Sequence, residues 1–275
     1  MNINLKFLLL GTSLSLIPQY AAAQCAVTDC QQLGYTSLQK CDNGLKCPFG
    51  EYWACPKVEE KAVLGQCTGY AKNCKIGDIL NSDGTCTTDK VNGKSPLGVV
   101  LAIKENCGWA MTAKPIATMI EWGDNDMDIS ALPNYTSFET AIQDYDSCGN
   151  TLKIIQAGNN YSHPAAWKAY EYVPSEAPET KGKWCLPALG MLHNLILNLE
   201  TINNAIGKLE GKKFTYYKVP TNIDANEYMW SSSEYDNNKA WAYFIENKLG
   251  AYGIYGKSYR VEGDFYLAVR PVIEF

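Results

Sequence analysis

Ser231, Ser232 and Ser233 form a run of hydroxyls between Trp230 and Glu234, the first place to look for a nucleophile. A serine attacks only when a base takes its proton, and that base must lie within hydrogen-bond reach. Neither histidine of the chain, His163 or His193, neighbours the triplet in sequence, and no GxSxG turn surrounds it. The run reads more simply as small residues packed under aromatic rings. "GDNDMDIS" sets Asp124, Asp126 and Asp128 at alternate positions, as a calcium loop begins. The sixth and twelfth places hold Ile129 and Tyr135, where an EF-hand needs Gly and Glu, so a solvated turn is expected. No paired acid/base carboxylates and no glycine-rich phosphate cradle stand out. His193 sits beside an apolar stripe, where a histidine packs or caps more often than it catalyses. The expectation is a chain with no catalytic residues, no metal and no cofactor.

Cysteine is the remaining reactive type. There are 11, and they crowd toward the front: Cys25, Cys30, Cys41, Cys47, Cys55, Cys67, Cys74 and Cys86, then only Cys107, Cys148 and Cys185. Zinc would need closely paired ligands such as CxxC or nearby histidines, and neither occurs. Disulfides are the expected use. Because the count is odd, one thiol is free or pairs between chains, which allows self-association through an unpaired cysteine.

Compartment follows from the first residues. "MNINLKFLLLGTSLSLIPQYAAAQC" has Lys6, an apolar run from Phe7 to Ile17 ended by Pro18, and Ala21–Ala23 before Gln24. That is the pattern of a secretory leader over 1–23, too short to span a membrane. A lipid anchor on Cys25 would need a small residue before it, and Gln24 is not small. No later segment approaches 20 consecutive apolar residues, so a mature chain that does not span a membrane, secreted or held at the cell surface, is expected. The 24 basic residues against 29 acidic ones give a net charge of −5 with no basic run, which argues against nucleic acid.

The elements that must position these groups divide the chain. Residues 24–74 are poor in apolar residues and rich in cysteine, Gly, Pro and Asn, a module needing covalent staples in place of a core. From 75 the texture changes. "KIGDILNSDGTCTTDKVNGKSPLGVVLAI" alternates β-prone runs with SDG and NGK turns, predicting hairpins. Ser137 caps a helix in "SFETAIQDY", and Pro164 starts another in "HPAAWKAYEY". Leu189, Leu192, Leu195, Ile196, Leu199, Ile202, Ile206 and Leu209 fall at three- and four-residue steps, predicting one long helix with Gly211 just past its end. Short strands follow from Phe214. Helices in the middle and strands at both ends predict an α+β domain over 75–275 whose two ends pair in one sheet.

The last third carries an unusual composition. Tyr235, Tyr243, Tyr252, Tyr255, Tyr259 and Tyr266 are interleaved with Asn, Ser and Gly. Recognition loops favour this mixture, because Tyr offers contact area and a hydrogen bond at low entropic cost. Plain strand propensity would also place tyrosines there.

Around it, "KGKWCLPALGMLHNL", "YMWSSSEY", "AW" and "VRPVIEF" follow in an order that resembles a bacterial family related to the C-type lectin fold. The resemblance covers most of Lys75–Phe275, with "GDIL.SDGT...GKSPLGVV" similar to the lead-in of such domains. It implies a C-type lectin-like fold preceded by a small disulfide-rich module. Members of this fold group include variable proteins of diversity-generating retroelements, in which one exposed face varies on a fixed frame. Carried over, Trp230, Ser231–Ser233, Trp241, Val269, Arg270 and Pro271 would be frame. Tyr235, Asp236, Asn237, Asn238, Tyr243, Asn247, Tyr252, Tyr255, Ser258, Tyr259, Arg260 and Asp264 would form the binding face. The EPN and WND motifs of calcium-dependent sugar binding are absent. The formylglycine-generating enzymes of related fold need reactive cysteines, and none follows Cys185. The implied function is an exported adhesin- or receptor-like binding protein for a protein or glycan ligand. An envelope or appendage subunit is the alternative, and a formylglycine-generating or hydrolase type of enzyme the minor one.

Overall fold

The computed structural model describes residues 39–40, 53–54, 61–214, 226–244, 251–262 and 265–275. The expected leader lies outside them. Two compact units divide the chain, 1–60 and 61–275. In the first, β1 (Gln39–Lys40) and β2 (Trp53–Ala54) pair antiparallel. The division falls before the 74/75 boundary expected from composition, because two bridges tie the intervening segment to the second unit. Cys67 bonds Cys107 and Cys74 bonds Cys86, and a third bridge joins Cys148 to Cys185. Such bonds persist in oxidising compartments such as the cell exterior. With these six paired, the odd cysteine falls among Cys25, Cys30, Cys41, Cys47 and Cys55, outside the described residues.

The second unit is α+β, built on two sheets. One runs β4 (Cys86–Thr87), β3 (Ile79–Asn81), β5 (Pro96–Lys104), β6 (Cys107–Met111), β14 (Val272–Glu274), β8 (Trp184–Cys185). An expected hairpin forms here between β3 and β4, with Gly84 at φ 79° in its turn. The NGK turn, with Gly93 at φ 82°, instead leads from β4 past β3 to β5 and joins strands that are not neighbours. The C-terminal strand β14 pairs antiparallel with both β6 and β8, so the two ends of the unit do share a sheet. The other sheet runs β11 (Ala251–Gly256), β10 (Lys239–Phe244), β9 (Asn226–Glu234), β13 (Phe265–Val269), β12 (Val261–Glu262), with β7 (Ala117–Thr118) also on β13.

Ser137 caps α1 (Phe138–Ala141) as expected, its hydroxyl accepting from Thr140 N. Pro164 opens α3 (Pro164–Glu171). Between them α2 (Ser147–Ala157), capped by Asp146, has no apolar stripe to announce it, for its buried positions include Ser147, Asn150 and Thr151. The stripe from Leu189 is not one helix but two, α4 (Leu189–Leu197) and α5 (Leu199–Lys208), broken at Asn198. The Asn198 amide donates to Asn194 O, competing with the backbone ladder, and its φ of −120° leaves the helical region. The left-handed residue after α5 is Glu210, at φ 53°, and not Gly211. Gly211 is required for a different reason: a Cβ there would lie 2.5 Å from Ala113 O.

α4 and α5 fill the space between the sheets. Leu189, Leu192, Leu195, Ile202 and Ile206 pack with Val99, Leu101, Met111 and Val272 of one sheet and Met229, Trp241 and Tyr243 of the other. The far face of the second sheet buries Trp230, Ala242, Leu267 and Val269 against α2, α3, Trp122 and Ile129.

Candidate functional site

Burial sorts the frame from the face. Trp230, Ser231–Ser233, Trp241, Val269, Arg270 and Pro271 are all buried. The serines are buried because β9 runs against the start of α4, whose first amides lack a local cap. Ser233 Oγ accepts from Leu189 N at 2.9 Å and donates to Asp144 Oδ2 at 2.6 Å. Ser147 Oγ accepts from Ala188 N at 2.7 Å, and Ser231 Oγ donates to Trp241 O at 2.8 Å. A larger side chain would push β9 off the helix. Burial raises the Asp144 carboxyl above the usual range, against the hydrogen bonds from Ser233, Asp146 N and Asn150. No imidazole reaches these hydroxyls among the described residues.

The expected binding residues do not share one face. On β10 and β11, Tyr243 stands opposite Tyr252 and Trp241 opposite Ile254, while Ala240 stands opposite Tyr255. Cross-strand partners point the same way and neighbours along a strand point opposite ways. Tyr252 therefore lies on one side, stacked on Phe138 at 3.6 Å, and Tyr255 on the other, half-buried against Tyr228 and Trp230. Tyr243 is a correction: it is 1% exposed, an interior residue whose hydroxyl meets His193 Nδ1 at 3.0 Å. Burial, with Tyr252 adding to it, pushes its phenol up to about 12. Tyr235 packs edge-on to Trp241. Asn247 and Asp264 lie outside the described residues.

Six of the residues do come together, Asp236, Asn237 and Asn238 in the β9–β10 turn and Ser258, Tyr259 and Arg260 after β11. A third loop, Asp124–Asp128, joins them. Asp126, at φ 59°, donates its N–H to Asn238 Oδ1 at 2.8 Å, and Lys257 N donates to Asn238 O at 2.9 Å. Ser258 N reaches Asn125 Oδ1 at 3.4 Å. The expected calcium-like turn is thus an exposed loop of this cluster. Asn237, Ser258, Tyr259 and Arg260 are exposed on it, and Arg260 Nε pairs with Glu121 at 2.7 Å.

Beneath these loops lies a pair that the sequence reading missed. Glu234, at the end of β9, and Lys257, just after β11, form an ion pair with both side chains fully buried. Lys257 Nζ also donates to Met127 O, and Glu234 Oε1 accepts from Ile129 N. One buried pair so pins all three loops. Burial raises the Glu234 carboxyl, while the bond and charge of Lys257 pull it back. The Lys257 ammonium sits 4.9 Å from the Trp122 ring, and Trp122 Nε1 donates to Ser231 O. His163 is buried next to Trp122 with neither ring nitrogen hydrogen-bonded, and burial, aided by Lys257, lowers its pKa. The one available signal was a charged residue closing an otherwise buried strand, "WSSSE".

A cavity of about 490 Å³ opens elsewhere, lined by Lys90, Leu97, Ala113, Lys114, Tyr172 and Leu209 among others, and none of the expected residues lines it. No helix among the described residues is long and apolar enough to cross a membrane.

No protein-family model and no curated protein matches the chain. The solved structure of a fimbrial protein from Bacteroides ovatus ATCC 8483 is similar, with a TM-score of 0.53 and 15% identity. The match covers 73% of this chain and 49% of that one, so this chain spans about half the length of its neighbour. At that identity the likeness shows a shared fold alone.

Proposed function

We propose that the chain is an exported, non-catalytic binding protein, adhesin- or receptor-like, that meets a protein or glycan on another surface. The contact is made by the three-loop cluster, with Tyr259 and Arg260 as anchors and Asn237 and Ser258 filling around them. The observation that carries this reading is the buried Glu234–Lys257 pair, which fixes the backbone of all three loops and leaves exposed polar and aromatic side chains on top. A site held in place before binding loses less entropy on contact. The C-type lectin-like class is the finer fold reading. It is supported by the placing of the unit's first strands and its last strand, β14, in one sheet and by the burial of the "WSSS" and "VRPV" pieces. Diversification by a retroelement fits the same division between frame and loops.

The test uses purified full chain on a glycan array and on intact cells. Tyr259→Ala and Arg260→Ala are each expected to cost about 2 kcal/mol, roughly 30-fold in affinity, without lowering the melting temperature. Binding that survives both substitutions unchanged would place the site elsewhere.

A second reading, a subunit of a surface appendage, is favoured by the fimbrial neighbour. Material sheared from producing cells and sized without reductant would run as a ladder of multiples under that reading and as a single copy under the first.

A further inference from the structure

Among the described sheet edges of the second unit, β11 stands apart. β7 and β12 on the opposite margin of its sheet are two residues each, and so are β4 and β8 at the edges of the other sheet. β4 and β8 are further tied down by the Cys74–Cys86 and Cys148–Cys185 bridges. Natural proteins blunt their edges in such ways, by shortness, charge, proline, bulge or cover, because unpaired backbone groups template another strand. β11 has none of the first four. It runs six residues, reads AYGIYG, and pairs with β10 through an unbroken register. Tyr252 and Ile254, on one face, are 45% and 38% exposed. Among the described residues, Tyr252, Gly253 and Ile254 make no backbone hydrogen bond beyond β10.

We infer that β11 is a strand-pairing edge for a second copy of this chain, two β11 strands meeting antiparallel about Gly253 and joining their sheets. That register is self-complementary, as a two-fold contact requires. It sets Tyr252 of each copy opposite Ile254 of the other, and aromatic–β-branched pairs are among the favourable cross-strand combinations. The strand's own sequence selects the occupant. AYGIYG carries no charge, so a second copy sets no like charges opposite one another in the ladder, and Tyr252 and Ile254 are each other's partners in the two-fold register. The ladder supplies affinity through backbone hydrogen bonds, and the two side-chain pairs set the register.

Sedimentation velocity of the full chain tests this, with free thiols alkylated so that cysteine-linked pairs do not form. The wild type is expected to dimerise reversibly. Ile254→Lys and, separately, Tyr252→Lys should weaken the dimer at least about tenfold while far-ultraviolet circular dichroism stays that of the wild type. A wild type still monomeric at concentrations on the order of 100 µM overturns the inference, and so does a dimer that both lysine variants leave intact. Amide exchange of the unmodified sequence guards against variants that misfold. Protection at Tyr252–Ile254 must rise with concentration, and constant exchange overturns the proposal. Tyr259→Ala and Arg260→Ala should leave the dimer unchanged, so failure here is separable from failure at the loop cluster.

Discussion

Replacing Lys257 by methionine removes the cation from beneath the three loops while keeping most of the buried stem. Glu234 is then left fully buried with Ile129 N as its remaining donor, because Oε2 has no hydrogen-bond partner. The carboxyl escapes by taking up a proton. Held neutral at pH 7 against an unfolded-state value of about 4.3, it costs about 1.36 kcal/mol for each of some 2.7 pH units, or roughly 3.7 kcal/mol. Losing the bond to Met127 O adds about 1 kcal/mol. The total of about 4–5 kcal/mol agrees with the usual cost of breaking a buried pair from one side. At pH 5 the protonation part shrinks to about 1 kcal/mol, leaving roughly 2. The sign follows from a carboxyl whose folded pKa is raised: its stability is intact below the unfolded value and is lost as pH rises toward the folded one. Urea denaturation at both pH values gives the numbers directly. Glu234→Gln with Lys257→Met should recover part of the loss and remove its pH dependence. Amide exchange at Asp126, Asn238 and Ser258 should quicken together in the single variant. A loss below about 1 kcal/mol at pH 7, or an equal loss at both pH values, would refute the clamp.

Two further outcomes rest on the interior. Ser233→Ala strands Leu189 N–H and takes from the Asp144 carboxyl one of its three donors, and is expected to cost about 1–3 kcal/mol in denaturant unfolding, whereas a serine merely filling space would cost well under 1. His163, lowered by burial and by Lys257, is neutral in the fold and charges on unfolding, so its contribution is present above about 6.5 and lost as pH falls below it. His163→Gln should flatten the loss of stability between pH 7 and 5.5 without abolishing it, since burial lowers His193 as well; identical slopes would show His163 to be solvated.

Local signals carried over into the structure where one residue decides the geometry. Ser137 and Pro164 start helices because each acts on its own first turn, and the SDG and NGK turns bend where glycine takes a positive φ. The apolar stripe of Leu189–Leu209 identified the buried faces of α4 and α5 but not the break, since periodicity survives one residue of disruption at Asn198. The tyrosines were legible as a composition and not as a surface. Which side of the sheet Tyr243, Tyr252 or Tyr255 occupies depends on strand register and on what lies across it, and Phe138 and His193 are remote in sequence. The Glu234–Lys257 pair is invisible for the same reason: charges read as exposed until the fold closes water out around them.

The pairing of β14 between β6 and β8 has a temporal meaning. Ile273 sits opposite Ala110 on one side and Trp184 on the other, and Trp109 Nε1 donates to Glu274 across the same seam. A growing polypeptide cannot zip that seam until residue 274 has left the ribosome, and contacts so remote along the chain form slowly. Nascent copies therefore carry β6 and β8 unjoined until β14 emerges, and the sheet can close only then.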